Sequence, residues 1–137
     1  MIPSYENLKD FKDAGEKILE YLHNHLGFAL WMITRTESND WIVLQAKDHG
    51  YGVQAGQVFN WADSYCSKMV LDKGPRIAPD SKKIPLYVEA GINKLVDINA
   101  YIGQPLFNED GSIFGTLCAI ASQGNIEQSE IYMTCIM

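Results

Sequence analysis

The chain has 137 residues, of which 47% are hydrophobic and 20% charged, and these proportions are typical of one soluble globular domain. Its 17 acidic residues outnumber its 11 basic residues and give a formal net charge of -6. The one tight basic cluster is Lys82-Lys83. Because nucleic acids and anionic membrane surfaces are bound by clustered positive charge, we expect neither as a partner.

The cysteines and the amino terminus indicate the compartment. Cys66, Cys118 and Cys135 form an odd and widely spaced set, which argues against a disulfide framework and against a CxxC metal site. The first residues lack the basic and apolar regions of a signal peptide, and no run is long enough to span a membrane. We therefore predict a cytoplasmic protein with reduced thiols.

An amphipathic helix is predicted from Ser4, its cap, to Gly27, which would end it. Its apolar residues recur at helical spacing and form one face: Leu8, Phe11, Ile18, Leu22 and Leu26. This pattern is typical of a helix that covers a sheet. A helix that mediates dimerisation or transmits a signal is the alternative, and one helix can do both.

The next elements are a hairpin and a helix. Residues 28–36 and 41–46 are rich in aromatic and branched side chains and flank a polar turn at 37–40, which predicts two paired strands. The glycine-rich segment 47–57 is predicted as a loop, and Val58-Phe59 as a short strand. Asn60 then suits the cap of a helix that stops before Gly74-Pro75.

Residues 76–83 are predicted to be irregular, and a short helix is expected from Pro85 to about residue 90. Residues 101–120 read YIGQPLFNEDGSIFGTLCAI, in which two apolar runs flank Asp110-Gly111. Asp-Gly supplies the positive φ values of a tight turn, so this segment predicts a second hairpin. The hairpins imply an antiparallel sheet covered by helices, an α+β fold. A last helix from Ile126 has no stop signal before Met137, and we expect the natural protein to continue.

Catalytic and metal-binding patterns are scarce. His23 and His25 point in different directions on the first helix, and His49 lies in the glycine-rich loop, so no metal site is predicted. Trp31, Trp41 and Trp61 combine apolar surface with a polar tip, as do the tyrosines, which suits either a core or a pocket wall. Cys66 and Cys118 lie in apolar surroundings typical of buried, inert thiols.

The ordered motifs resemble those of GAF domains, small regulatory modules of signalling proteins. The similarity rests on Tyr101-Ile102-Gly103, Asp110-Gly111 and the run 114–120, and on the earlier segments 60–66, 74–80, Tyr87 and Gly91. It spans about residues 4–130. The resemblance implies a single domain over 1–137 with a six-stranded antiparallel sheet and helices on both sides. It also implies a pocket between the sheet and the segment 61–96.

The resemblance implies a non-catalytic sensory domain that binds a small molecule of unknown identity. It further implies a homodimer formed through the terminal helices, and a downstream output domain such as a GGDEF diguanylate cyclase or a histidine kinase. The ligand-binding residues expected on this basis are Tyr65, Cys66, Asp80, Tyr87, Asp97 and Tyr101.

Other branches of this family set limits on the ligand. No cysteine lies between Cys66 and Cys118, so a covalent bilin at the position typical of cyanobacteriochromes is not expected. The chain begins the cyclic-nucleotide pattern at Asn93-Lys94 but does not complete it after Phe107. The alternatives are a thiol-based reductase of free methionine sulfoxide that uses Cys66 or Cys118, and a dimerisation module without a ligand.

Overall fold

The computed structural model describes the backbone of residues 5–122 and the side chains of residues 10–122. The predicted helix from Ile126, its end at Met137 and the cap at Ser4 lie outside the described residues. Within residues 5–122, no helix combines the length and the apolar character that crossing a membrane would require.

One six-stranded sheet forms the centre of the fold. Along the chain its strands are β1 Leu30–Glu37, β2 Asp40–Asp48, β3 Val58–Asn60, β4 Ile77–Ala78, β5 Ala100–Phe107 and β6 Ile113–Ala121. In space they run β3-β2-β1-β6-β5-β4, and every neighbouring pair is antiparallel. Helix α1 (Tyr5–Leu26) lies on one face, and α2 (Tyr65–Leu71) and α3 (Pro85–Val88) lie on the other. The predicted α+β architecture is confirmed.

Helix α1 is packed against the sheet through its carboxyl-terminal half. Leu19, Leu22 and Leu26 are buried against Trp31 and Phe28. The predicted apolar face is only partly correct, because Phe11 and Ile18 remain 48% and 47% exposed. These two residues point to the side of the buried stripe, where they form an apolar strip together with Tyr21, which is 56% exposed.

The helical segment after β3 is divided in two. Asn60 caps a single 3-10 turn at residues 61–63, and its side chain accepts a hydrogen bond from the Ala62 amide. Ser64 then caps α2 by accepting a hydrogen bond from the Ser67 amide at 3.0 Å. The prediction of one continuous helix from Asn60 is therefore wrong, because Ser64 has an extended backbone (ψ 154) that interrupts the helix.

The turn between β5 and β6 has a different chemistry from the predicted one. Gly111 has a positive φ of 88, whereas Asp110 is not among the residues with positive φ. Asp110 instead accepts hydrogen bonds from the Ser112 amide and hydroxyl, which hold the pKa of its carboxyl below the usual value. The hairpin is thus a longer turn with one left-handed glycine rather than a two-residue turn that needs two.

Two short elements complete the sheet and its covering layer. Strand β4 pairs with β5 at Ile77↔Ile102 and Ala78↔Tyr101, within a segment that was predicted to be irregular. Helix α3 ends earlier than predicted, at Val88, and a 3-10 turn follows at residues 91–94. The segment from Trp61 to Ile98 is thereby held over the sheet face opposite α1.

Candidate functional site

A small cavity lies between the sheet and the segment that follows β3. Its volume is about 40 Å³. Apolar side chains dominate its wall, and the cavity is lined by Leu30, Met32, Trp41, Val53, Phe59, Tyr65, Cys66, Ile92, Val96, Ile98, Tyr101, Cys118 and Ile120. Val53, Phe59 and Val96 are only half-buried, which marks the side on which the cavity approaches solvent. The site suits a very small apolar molecule.

A line of buried polar groups runs beside this cavity and reaches two residues of its wall, Trp41 and Cys66. The Thr116 hydroxyl lies 3.2 Å from Cys66 Sγ and donates to it, and the Tyr101 hydroxyl donates to the same sulfur at 3.3 Å. Thr34 Oγ1 lies 2.7 Å from Thr116 Oγ1 and accepts a hydrogen bond from Trp41 Nε1 at 2.9 Å. A continuous chain of hydrogen bonds thus joins the indole of Trp41 to the thiol of Cys66.

Strand β5 places Tyr101 over this thiol because of a glycine. Gly103 lies on the same face of the strand two residues further on. A Cβ at Gly103 would overlap the Tyr101 hydroxyl and approach the methyl end of Met69 to 2.9 Å. The Tyr-x-Gly spacing therefore leaves the space that the phenol needs to reach Cys66.

The two described cysteines form a pair with unequal acidity. Burial raises the pKa of the Cys66 thiol, but hydrogen bonds from Cys118, Thr116 and Tyr101 lower it more, so its pKa falls below the ordinary value. The hydrogen bond to Cys66, together with burial, raises the pKa of Cys118 well above the ordinary value. A single negative charge in this pair would accordingly lie on Cys66, where the hydroxyls of Thr116 and Tyr101 donate to the sulfur.

Three tyrosines pack together beside the thiols. Tyr65 stacks on Tyr87 with ring centroids 4.7 Å apart, and Tyr101 meets Tyr87 edge-on at 5.2 Å. The Tyr65 hydroxyl donates to Asn93 Oδ1 at 2.6 Å, and the Tyr87 hydroxyl donates to the carbonyl of Pro75. Because the hydroxyls of Tyr65 and Tyr87 are occupied by these partners, the cluster presents ring surface toward the cavity.

The structure brings together some of the predicted ligand residues and not others. Tyr65, Cys66 and Tyr101 line the cavity. Tyr87 is fully buried behind them and is not part of the wall. Asp80 and Asp97 lie toward the surface, where they pair with Lys83 at 3.7 Å and Lys82 at 3.0 Å.

Sequence reasoning missed the central part of the site. Met32 on β1 and Cys118 on β6 are Cα partners, and both reach the cavity from the middle of the sheet. The alternation of the strands carried this signal, since Met32, Thr34, Thr116 and Cys118 share one face. Trp31, whose residue type suits either a core or a pocket wall, lies in the core on the opposite face under α1.

A hydrogen bond between two loops lies near the cavity. The Tyr51 hydroxyl donates to the Asp97 carbonyl at 2.7 Å and joins the glycine-rich loop to the segment before β5. The loop itself is held by Asp48, whose carboxylate accepts from the amides of Tyr51, Gly52 and Val53. Burial and the charge of Asp97 raise the pKa of Tyr51 to about 12.

We expect the protein to lose stability in alkaline solution. Burial also raises the pKa of Tyr65, Tyr87 and Tyr101. Folded tyrosines with a raised pKa hold their protons more tightly than unfolded ones, whose pKa is about 10. Their contribution to stability is complete below pH 10. It is lost as the pH rises through the pKa values of the folded protein, and the folded pKa of Tyr51 is about 12.

This prediction can be checked by following tyrosinate absorbance and far-ultraviolet circular dichroism together during an alkaline titration. Tyr51→Phe should weaken the alkaline loss, whereas the exposed control Tyr21→Phe should leave it unchanged. Ionisation of all tyrosines near pH 10 without unfolding would contradict the burial described above.

No group of three His, Cys, Asp or Glu side chains among the described residues is arranged to hold a metal ion. Comparison of the sequence finds no match, either to a protein-family model or to a curated protein. Comparison of the structure does find similar folds.

The type II free methionine-R-sulfoxide reductase from Thermoplasma acidophilum superposes with a TM-score of 0.67 at 16% identity, covering 94% of this chain and 89% of that one. The GAF domain of Thermosynechococcus elongatus PixJ, in its blue-light absorbing form, gives a TM-score of 0.66 at 17% identity, with 95% and 84% covered. The GAF domain of an Acinetobacter phosphoenolpyruvate-protein phosphotransferase gives 0.62 at 10% identity, with 87% and 72% covered.

Proposed function

We propose that this chain, which has the fold of GAF domains, is a cytoplasmic sensory domain that binds a small apolar molecule in the cavity above β1 and β6. The observation that carries the proposal is the cavity itself, enclosed by apolar side chains around the Cys66 thiol. Its volume of about 40 Å³ is far below the roughly 300 Å³ of sites for drug-sized ligands. The ligand therefore has few non-hydrogen atoms.

The position of the cavity offers a physical route for a signal. Met32 lies on its wall. The preceding residue of β1, Trp31, is buried under α1 on the other face of the sheet. A ligand that favours one position of β1 would also favour one position of α1. Such a ligand must bind the two conformations with different affinity in order to change the output of a linked domain, such as a diguanylate cyclase.

Xenon is a suitable probe because it occupies dry apolar cavities. We expect methyl NMR signals of Met32 and Ile98 to shift on addition of xenon, while those of Ile33, on the opposite face, stay in place. Ile92→Phe, which fills the cavity, should abolish the shifts. The matched control Ile77→Phe lies against the other core and should preserve them. Equal shifts on both sheet faces would reject the site.

The same proposal includes a homodimer formed through α1. Phe11, Ile18 and Tyr21 leave an apolar strip on this helix, and the acidic residues Asp13 and Glu20 lie outside it. Burial of exposed apolar area is what drives helix pairing. Ile18→Glu should convert a dimer to a monomer in sedimentation velocity, and Asn24→Glu, an exposed change off the strip, should not. A monomeric native protein would rule the dimer out.

A second candidate function is reduction of free methionine sulfoxide by a cysteine thiol. It is favoured by the fold shared with the Thermoplasma acidophilum reductase and by the lowered pKa of Cys66. The activity can be measured by the loss of methionine-R-sulfoxide in the presence of a dithiol reductant. The reductase function would be excluded if the wild-type chain shows no turnover, or if turnover persists in both the Cys66→Ser and the Cys118→Ser variants.

A further inference from the structure

Two thiols, those of Cys66 and Cys118, line the cavity, and the hydroxyl groups of neighbouring residues donate hydrogen bonds to the sulfur of Cys66. Cys66 Sγ accepts from the hydroxyls of Thr116 and Tyr101 at 3.2 and 3.3 Å. Cys118 follows Thr116 by two residues on the same face of β6, and its side chain lines the same cavity as Cys66. Hydroxyl donors that converge on a buried sulfur stabilise its thiolate, which is the nucleophilic form.

We propose that Cys66 and Cys118 form a redox pair that a small hydroperoxide, such as hydrogen peroxide, oxidises to a disulfide. The proposal adds a modification site and does not depend on the sensing of an apolar ligand. The oxidant is selected by size, because the cavity of about 40 Å³ admits a molecule of two oxygen atoms to both sulfurs. Bulky organic peroxides are excluded by the same walls.

The first step takes place at Cys66. Its thiolate sulfur attacks one oxygen of the peroxide, the O–O bond breaks, and the other oxygen leaves as hydroxide and takes up the thiol's released proton to become water. Cys66 is then a sulfenic acid. The hydroxyls of Tyr101 and Thr116 already lie beside the sulfur. They are placed to stabilise the negative charge as it moves from the sulfur to the leaving oxygen.

The second step takes place at Cys118. In the reduced pair the neighbouring Cys66 raises the pKa of Cys118 and suppresses its ionisation. Oxidation of Cys66 to a neutral sulfenic acid removes that effect, so Cys118 becomes the better nucleophile only after the first step. Its sulfur attacks Cys66 Sγ, the S–O bond breaks, and hydroxide leaves with the Cys118 proton as water. Two thiols and one peroxide give one disulfide and two waters.

The experiment uses the full chain with Cys135→Ser, so that only the proposed pair can react. After treatment with hydrogen peroxide, intact mass spectrometry should show a product lighter by two hydrogen atoms, and peptide mapping should join Cys66 to Cys118. In the Cys118→Ser variant a sulfenic acid should accumulate on Cys66 and be trapped by dimedone. In the Cys66→Ser variant Cys118, whose sulfur lacks the two hydroxyl donors of Cys66, should react at least about tenfold more slowly than Cys66 does in the Cys118→Ser variant.

Four further variants test whether oxidation depends on this site and not on a general sensitivity of the chain to peroxide. Thr116→Val keeps both thiols and removes one donor, so oxidation should slow, whereas Thr116→Ser should retain the rate. Ile92→Phe fills the cavity and should also slow oxidation, while its control Ile77→Phe should not. These rates are read without any ligand, so a negative xenon experiment leaves them interpretable.

Several results would overturn the proposal. One is a wild-type chain whose thiols resist peroxide concentrations that oxidise free cysteine. Another is faster oxidation of Cys118 than of Cys66. A third is equal rates in the Ile92→Phe and wild-type chains with both folded, since this would show that peroxide does not enter through the cavity.

Discussion

Replacing Gly115 with alanine should cost about 3 kcal/mol or more of the free energy of unfolding. A Cβ at this position would overlap the backbone carbonyl oxygen of Thr34 and come within 2.8 Å of the Arg35 Cα. These atoms belong to the backbone of β1, which cannot move aside without breaking its pairing with β6 at Arg35↔Gly115. The close approach of two central strands at this glycine is therefore what the substitution destroys.

Urea unfolding in the presence of a reductant measures this cost. Gly111→Ala is the matched control, since a Cβ at Gly111 meets nothing within 4 Å although its φ is 88. The control should lose only about 1 kcal/mol, the strain of a left-handed alanine. Equal losses for the two variants would mean that β1 and β6 adjust around the new methyl group.

Tyr87→Ala should be comparably damaging, at about 3–5 kcal/mol of the free energy of unfolding. The side chain is fully buried and packs against both Tyr65 and Tyr101, so its removal leaves a void behind the cavity wall. Tyr87→Phe keeps the ring and loses one hydrogen bond to the Pro75 carbonyl, which should cost about 1 kcal/mol.

This pair of variants also decides the role of Tyr87, which the sequence suggested as a ligand residue. If Tyr87 has a structural role, Tyr87→Ala should lose much more of the free energy of unfolding than Tyr87→Phe does. The xenon shifts should then be preserved in Tyr87→Phe. Small stability changes combined with a loss of xenon binding would instead assign Tyr87 to the site.

The sequence predicted the elements that have a strong local signal. The apolar runs around Asp110-Gly111 predicted the hairpin of β5 and β6, and Gly27 marked the end of α1, whereas Gly91 begins a 3-10 turn and does not end α3. Strand β4 was not predicted, because it has only 2 residues and forms by pairing with β5. The break at Ser64 was not predicted, because the apolar spacing of the segment continues across it.

The candidate site was harder to predict than the fold. Tyr65, Cys66 and Tyr101 were identified, but through a resemblance and not through their contacts. The hydrogen bonds of Cys66 reach residues 35 and 50 positions away, Tyr101 and Thr116. No local pattern records such distances, because they arise only when β5, β6 and α2 are assembled. Cys118 was predicted to be a buried thiol, and it is 1% exposed.

The hydrogen-bonded line from Trp41 through Thr34 and Thr116 to Cys66 gives the protein an intrinsic optical reporter. An indole that donates to one end of this line experiences the charge and bonding of the sulfur at the other end. Of the remaining tryptophans, Trp31 lies behind the sheet under α1 and is shielded from that change. Trp61 lies in the same core as Cys66, so a Trp61→Phe variant is needed to isolate Trp41, whose emission wavelength should then follow the chemical state of the thiol without any added dye.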